Sequence, residues 1–432
     1  MVNQANVGVA SGDALDVRSF QVTQAMSQLF RIELSAVSDN ADIDFDEIIG
    51  KTASFSLSTP TARYSWTGIC IEIDQIRVDE NNLATYTLVL VPLAYLLTQR
   101  KNYRIFQFKS EIDIVRQILG EWGIPHRVQV DAGSHPPRKF RVQYAESDFN
   151  FISRMLEDAG ISFFFEGSND GTTMVLDDEP QSRGVTHDGL QFHDQPDVGA
   201  TQFVTRVGLA QRTRPGRVTI GDLDYRRAPT QQPRLSAAGG LAQEGMLEQF
   251  DYEPGTFLFQ GAGGGNTPAA DDRGASRTDE ATGSRKTANN LRGRRQDAMR
   301  VSLESNVLGL SPGSILSITG HPHASIAADA PLLVTSSSLQ GEHDDDWRVE
   351  VESVGVDASF KPEHVTHRPK VKGLESATVV GPDGDEIHTD EYGRCRVHFH
   401  WDRESQRNEQ SSCWVPVNQP WAGAAFGGIS LT

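Results

Sequence analysis

The side chains able to carry chemistry in this 432-residue chain are three cysteines, 12 histidines and 58 carboxylates. His398 and His400 stand two apart in the run Cys395-Arg396-Val397-His398-Phe399-His400-Trp401-Asp402. On a strand they project from one face and could share a divalent metal. Arg394 and Arg396 project from the same face, and their positive charge depresses cation affinity. A packed or interfacial histidine pair is therefore the expectation. His321, His323 and His343 have no carboxylate or cysteine at ligand spacing on one face, and Gly320-His321-Pro322 reads as a turn. Cys70, Cys395 and Cys413 each sit in an apolar, strand-like context. An odd, sparse count argues against a disulfide framework, so they read as buried thiols. The run Gly261-Ala262-Gly263-Gly264-Gly265 lacks a following Lys-Ser/Thr and a strand-to-helix frame, so it reads as a mobile loop rather than a phosphate cradle. No nucleophile elbow or pair of catalytic carboxylates stands out. The expectation is a chain with no catalytic, cofactor-binding or metal-ligating residue and no cofactor, hence not an enzyme.

The elements that hold these residues are mostly strands. The chain has 39 glycines, 20 prolines and 38% hydrophobic residues, which fits a turn-rich packed β protein. Its formal charge of −18 argues against nucleic acid or anionic membrane as partner, because both attract net positive surfaces. The first thirty residues contain no basic segment followed by an apolar core, and no run of about 18 apolar residues occurs. Folding in the cytoplasm is expected, with any export performed by another machine.

Phe30, Ile32 and Leu34 share one face of the first alternating stretch. Asp44 to Ile49 reads as a short loop or helical turn. Ala53–Leu57, Tyr64–Ile71 and Thr85–Pro92 follow as short strands between turn residues, the pattern of a barrel or sandwich. A helix is expected after Ser110, an N-cap followed by Glu111 and Asp113, and is stopped by Gly123 and Pro125. A second is expected over Asp148–Asp158, capped by Ser147 and ended by Gly160. Strands Ile161–Phe165 and Thr172–Leu176 flank an Asn169-Asp170-Gly171 turn. Further on, Leu235 to Gln243 reads as a linker and Thr287 to Arg300 as an arginine-bearing helix. Strands return at Val301–Leu303, Ser314–Thr319 and Leu332–Leu339, and Asp344-Asp345-Asp346 reads as a solvated loop.

At the C-terminal end, Gly381-Pro382-Asp383-Gly384 and Tyr392-Gly393 form turns. Strict alternation then predicts a strand over 394–401. Cys395, Val397, Phe399 and Trp401 face inward; Arg394, Arg396, His398 and His400 face outward. Trp414, Val415 and Val417 supply another strand, interrupted by Pro416.

Asp390-Glu391-Tyr392-Gly393-Arg394, Val397, Phe399-His400-Trp401-Asp402, Ser411-Ser412-Cys413-Trp414-Val415 and Gln419-Pro420-Trp421-Ala422-Gly423 together resemble the VgrG family, the spike proteins of type VI secretion systems. Upstream, Tyr144-x-Glu146-Ser147-Asp148-Phe149, Ser153-Arg154-x-Leu156-Glu157 and Gly160-Ile161 before the phenylalanine run are similar to the family's hub region. The resemblance spans nearly the whole chain. It implies a mainly β fold with α+β insertions: two phage-tail-hub, tube-like β-barrels, a small α+β domain and the start of an OB-fold barrel. The expected boundaries are 1–110 for the first barrel and 111–205 for the α+β hub domain. The second barrel takes 206–370, with a helix-containing insertion at about 240–300, and the incomplete OB-fold part takes 371–432.

The function implied is structural: a trimeric adaptor between the Hcp tube and the membrane-puncturing tip, carrying effectors. Two barrels in each of three chains would match a six-fold tube. The implied partners are two more copies of the chain, the Hcp hexamer, baseplate proteins, and a PAAR tip protein and effectors beyond Thr432. No nucleic acid and no stable membrane association are expected. The protein would be cytoplasmic when assembled and secreted by the type VI machine without a signal peptide. The alternatives are a baseplate hub or spike of a contractile phage tail or extracellular injection system, and, from another class, a carbohydrate-binding or muramidase-linked tail protein.

Overall fold

A computed structural model describes residues 3–60, 62–168, 170–195, 202–223, 228–257, 279–343, 347–390, 393–418, 421–423 and 426–428. The expected features at Asn169, Gly261–Gly265, Asp344–Asp346, Glu391–Tyr392 and Gln419–Pro420 lie outside the described residues.

Six strands open the chain: β1 (Gln4–Gly8), β2 (Asp16–Ala25), β3 (Arg31–Ser38), β4 (Thr52–Ser58), β5 (Arg63–Val78) and β6 (Ala84–Val91). They pair in the circuit β1-β4-β5-β6-β3-β2, and the contact of Asn6 with Asp16 closes it into a barrel. Alternation explains the closure. Val22, Ile32, Leu34, Phe55, Leu57 and Leu88 point into one dry core while their neighbours in sequence point outward. Phe55 sits between Phe20 and Trp66, with ring centroids at 5.3 and 5.9 Å.

The next unit runs β7 (Lys101–Lys109), α1 (Glu111–Glu121), β8 (His126–Gln129), β9 (Arg138–Ser147), α2 (Asp148–Ala159), β10 (Ser162–Ser168) and β11 (Gly171–Asp177). Ser110 and Asp113 form a capping box on α1, and Ser147 caps α2. Gly160 ends α2 at φ 72°, a conformation that costs glycine little. Ile112, Val115 and Leu119 of α1 and Phe151, Ile152, Met155 and Leu156 of α2 are buried. The β10–β11 hairpin takes β8 as a parallel third strand.

The remaining strands begin with β12 (His187–Phe192) and β13 (Phe203–Gln211). A small sheet of β14 (Arg217–Gly221), β15 (Arg234–Ala238) and β16 (Glu248–Tyr252) follows, covered by α3 (Glu280–Arg294) through Val218, Ile220, Phe257 and Leu291. Then come β17 (Met299–Ser305), β18 (Ile315–Thr319), β19 (Leu332–Glu342) and β20 (Arg348–Gly355). The circuit β19-β18-β12-β13-β17-β20 is closed by β19–β20 pairing, which makes a second six-stranded barrel. β2 pairs antiparallel with β19 from Ala25–Ser336 to Ser19–Glu342, fusing both barrels into one twelve-stranded sheet. Trp347 crosses the seam and meets Phe20 edge-on at 5.1 Å. Gly341 lies so close beneath Trp347 that a Cβ there would stand 2.2 Å from the indole.

Two short ribbons complete the described chain: β21 (Ala377–Val380) with β22 (Arg396–Phe399), and β23 (Trp421–Gly423) with β24 (Phe426–Gly428).

Tertiary pairing changes several sequence expectations. α3 starts at Glu280, capped by Asp279, and ends at Arg294, because Met299 and Arg300 are drawn into pairing with β13. The stretch read as a linker overlaps β15, and Gly283 of α3 lets the helix pack closely on it: a Cβ there would stand 2.5 Å from Leu235. β7 pairs with β9 rather than with the first barrel, and β12 pairs with β18 and β13 of the second.

Candidate functional site at the joint with the C-terminal segment

The β7–β9 ribbon is where the C-terminal segment is held. Its register is irregular between Asn102 and Arg104, and Ala145 opposite adopts φ 52°. Tyr103 and Tyr144 emerge from the ribbon with ring centroids 5.1 Å apart. Trp401 packs on both, at 5.7 and 5.9 Å, and Phe399 stacks on Trp401 at 4.9 Å. Four aromatic rings thus bridge two units that are far apart in sequence, and such contacts favour fixed orientations.

Charged groups surround this cluster. The buried Arg104 binds Glu121 at 2.6 Å and Glu404 of the C-terminal segment at 2.9 Å. Arg100 binds Glu121 at 2.6 Å and the buried Asp148 at 2.5 Å, and its guanidinium lies 4.9 Å over Trp122. Burial acts to raise the Glu121 carboxyl, but hydrogen bonds from Arg104 and Arg100 outweigh it and leave the group below its ordinary value. Arg403 donates to Asn102 Oδ1 at 2.8 Å, and Gln107 donates to the Gln410 carbonyl at 2.7 Å. These bonds run directly between ribbon and C-terminal segment.

The chain between β20 and β21 forms a strap beside the same site. Lys361 binds Glu179 at 3.2 Å. The Thr366 amide and hydroxyl donate to Glu157 at 3.0 and 2.6 Å, and Tyr144 donates its hydroxyl to Glu375. Nearby, Lys286 of α3 binds Asp158 at 2.6 Å and Glu253 at 3.2 Å. Burial acts to raise Asp158, yet the charges of Lys286, Arg141 and Arg138 hold it well below the usual carboxylate range.

The residues weighed for chemistry are dispersed. Cys70 is buried in the first barrel, where burial pushes its thiol up, while Cys395 and Cys413 are half-buried in the C-terminal segment. His321 and His323 accept backbone N–H bonds in a local turn. The rings of His398 and His400 are 6.2 Å apart and edge-on. No group of three or more candidate metal ligands occurs among the described residues.

The expected inward and outward faces of the C-terminal strand are not observed. Regular pairing spans only Arg396–Phe399, and Cys395 exchanges backbone bonds of 3.0 and 2.8 Å with Val415. Arg394 and His398, expected outside, are 5% and 6% exposed; Trp401, expected inside, is half-buried. In β22 the adjacent Val397 and His398 are both buried although they project to opposite faces, so a period of two cannot mark a solvent face there. On one side the Val397 amide donates to Ser412 Oγ at 2.9 Å; Arg396 lies 4.6 Å over Trp414. The ribbon tyrosines and Arg104 make contacts with the C-terminal segment that the sequence reading missed. Only the Tyr144-x-Glu146-Ser147-Asp148 motif signalled that this stretch mattered.

Comparison with known proteins places this geometry. Residues 23–345 match the family model for the phage tail baseplate hub (GPD). The chain is 29% identical over 441 residues to the type VI secretion system spike protein VgrG1a of Pseudomonas aeruginosa, covering 97% of this chain and 64% of that relative. The chain thus spans less than two thirds of the length of the curated relatives first matched. Among solved structures, the E. coli c3393 protein is described as a type VI secretion component similar to the T4 bacteriophage tail proteins gp27 and gp5. It aligns with TM-score 0.64 at 17% identity, over 91% of this chain and 88% of its own. The 43 kDa tail protein of prophage MuSo2 from Shewanella oneidensis aligns with TM-score 0.56 at 13% identity, over 83% of this chain and 99% of its own.

Proposed function

Because the chain belongs to the phage tail baseplate hub family, we propose that it is the hub portion of a type VI secretion spike, a mechanical adaptor without catalytic activity. The observation that carries this reading is the fusion of two closed six-stranded barrels through β2 and β19. Three copies would present six similar barrels around one axis, which lets a three-fold spike sit on a six-fold tube. In this reading the tube is built of Hcp hexamers, and baseplate proteins surround the hub. Residues 371–432 begin an OB-fold barrel that leads toward the PAAR tip and its effectors. The joint at β7–β9 then has a clear task. Thrust on the barrels must reach the C-terminal segment without bending, and aromatic packing with buried ion pairs resists rotation better than a bare linker. The absence of catalysis is supported by the naming of the relatives as spike proteins. Cytoplasmic assembly and export by the machine itself complete the reading. No helix among the described residues is long and apolar enough to cross a membrane.

Light scattering of the intact protein should report about three chains per particle, and electron microscopy with Hcp should show three-fold particles capping rings. A stable monomer of the intact protein that ignores Hcp would overturn the proposal. The fold likeness to a prophage tail protein supports a second reading, the hub of a contractile phage tail. Binding to a phage tube protein in preference to Hcp would select it.

A further inference from the structure

A cavity of about 520 Å³ opens where α2, α3, the strap and the C-terminal segment meet. Tyr144, Phe399 and Trp401 line it on the aromatic side. The charges in its wall are unevenly matched. Lys286 is held by Asp158 and Glu253, Arg154 by Glu146, and Arg141 by Glu111 and Asp158. Glu157 and Glu375 also line the cavity, yet neither has a lysine or arginine at ion-pair distance among the described residues. Glu157 is buried and is held by hydrogen bonds from Thr366 and the Val365 backbone, with His364 the basic group whose charge acts on it. Glu375 accepts only the Tyr144 hydroxyl. A buried carboxylate without a counter-charge is costly, and burial accordingly pushes the Glu157 carboxyl up.

We propose that this cavity is a binding site for an organic cation, an ammonium or guanidinium group. The aromatic side chains in its wall attract such a cation through their negative quadrupole, and two uncompensated carboxylates supply its counter-charge. The size suits a small ligand or one inserted side chain. Arg368 also borders the cavity, but its side chain is exposed on the strap, where solvent and salt screen its charge. The cation could come from a free quaternary amine or from a lysine or arginine of a polypeptide. Both present the same chemistry.

Titration calorimetry of the intact protein with choline, and separately with acetyl-Gly-Arg-Gly-amide, tests this. We expect one saturable site per chain for at least one probe. Binding of choline alone identifies a free amine as the ligand type, and binding of the peptide alone identifies an inserted side chain. Glu157→Gln keeps the acceptor for Thr366 while removing the charge, and should weaken binding about tenfold. Glu375→Gln should weaken it in the same direction, and its exposed position leaves the fold intact if Glu157→Gln does not. Absence of saturable binding by both probes, or affinity unchanged in both variants, would overturn the proposal.

Discussion

The first barrel and the C-terminal segment bury opposite kinds of residue. Inside the barrel, Val22, Ile32, Phe55, Leu57 and Leu88 are all fully enclosed. Among the described residues of the segment, the enclosed side chains are Arg394, His398, Asp402, Ser411 and Ser412, with Val397 the lone large apolar residue among them. Its apolar side chains Leu374, Val379, Ile387 and Val417 are exposed instead. The barrel is held by transfer of apolar surface from water. The segment is held by hydrogen bonds and by the aromatic and ionic contacts it makes with β7 and β9. One region carries its own stability; the other borrows its shape from a neighbour.

Substitutions can break or sharpen this contrast. The largest effect is expected in the barrel. Phe55→Ala removes a fully buried ring between Phe20 and Trp66 and should cost about 3–5 kcal/mol, read from denaturant unfolding of the whole chain. In the segment, Trp401→Ala should cost about 2 kcal/mol, because the ring is only half-buried. Its main readout is faster amide exchange over 394–415, with the barrel strands unchanged. His398→Ala, which alternation makes silent, should now cost a similar amount, since the imidazole is buried. A negligible effect of His398→Ala would restore the outward-facing assignment.

Acidity should loosen the joint before the barrel. Glu121 has a folded pKa below its unfolded value. Its contribution is present above the ordinary carboxylate range and is lost as pH falls through the lowered value. Exchange at the joint should rise as pH falls below the ordinary carboxylate range, and Glu121→Gln should flatten that dependence. Glu157 has the opposite sign: its raised pKa means that above the ordinary carboxylate range ionisation destabilises the folded chain relative to the unfolded one. Glu157→Gln should therefore be neutral or slightly stabilising there, measured by thermal unfolding. The smallest effect belongs to Glu404→Gln. Its side chain is 56% exposed, so losing the pair with Arg104 should cost less than about 1 kcal/mol. A larger loss would show that the joint depends on this ion pair more than on the aromatic cluster.

The sequence by itself determined the local elements and the kind of protein. Ser110 and Ser147 announced α1 and α2 because a cap is a contact within one turn of the chain. Alternation announced the barrel strands because each has one dry face and one wet one. The ordered rare residues from Asp390 to Trp421 carried the family resemblance. What only the tertiary structure decided are the pairings between distant strands and the joint they create. β2 finds β19 more than three hundred residues later, and β7 leaves the barrel to pair with β9. Such partners are chosen by long-range packing that no local pattern records. The same reason hid the joint. Tyr103, Tyr144, Arg104 and Trp401 become neighbours only when the C-terminal segment returns to the ribbon, and burial on both sides erases the period-two signal that alternation relies on.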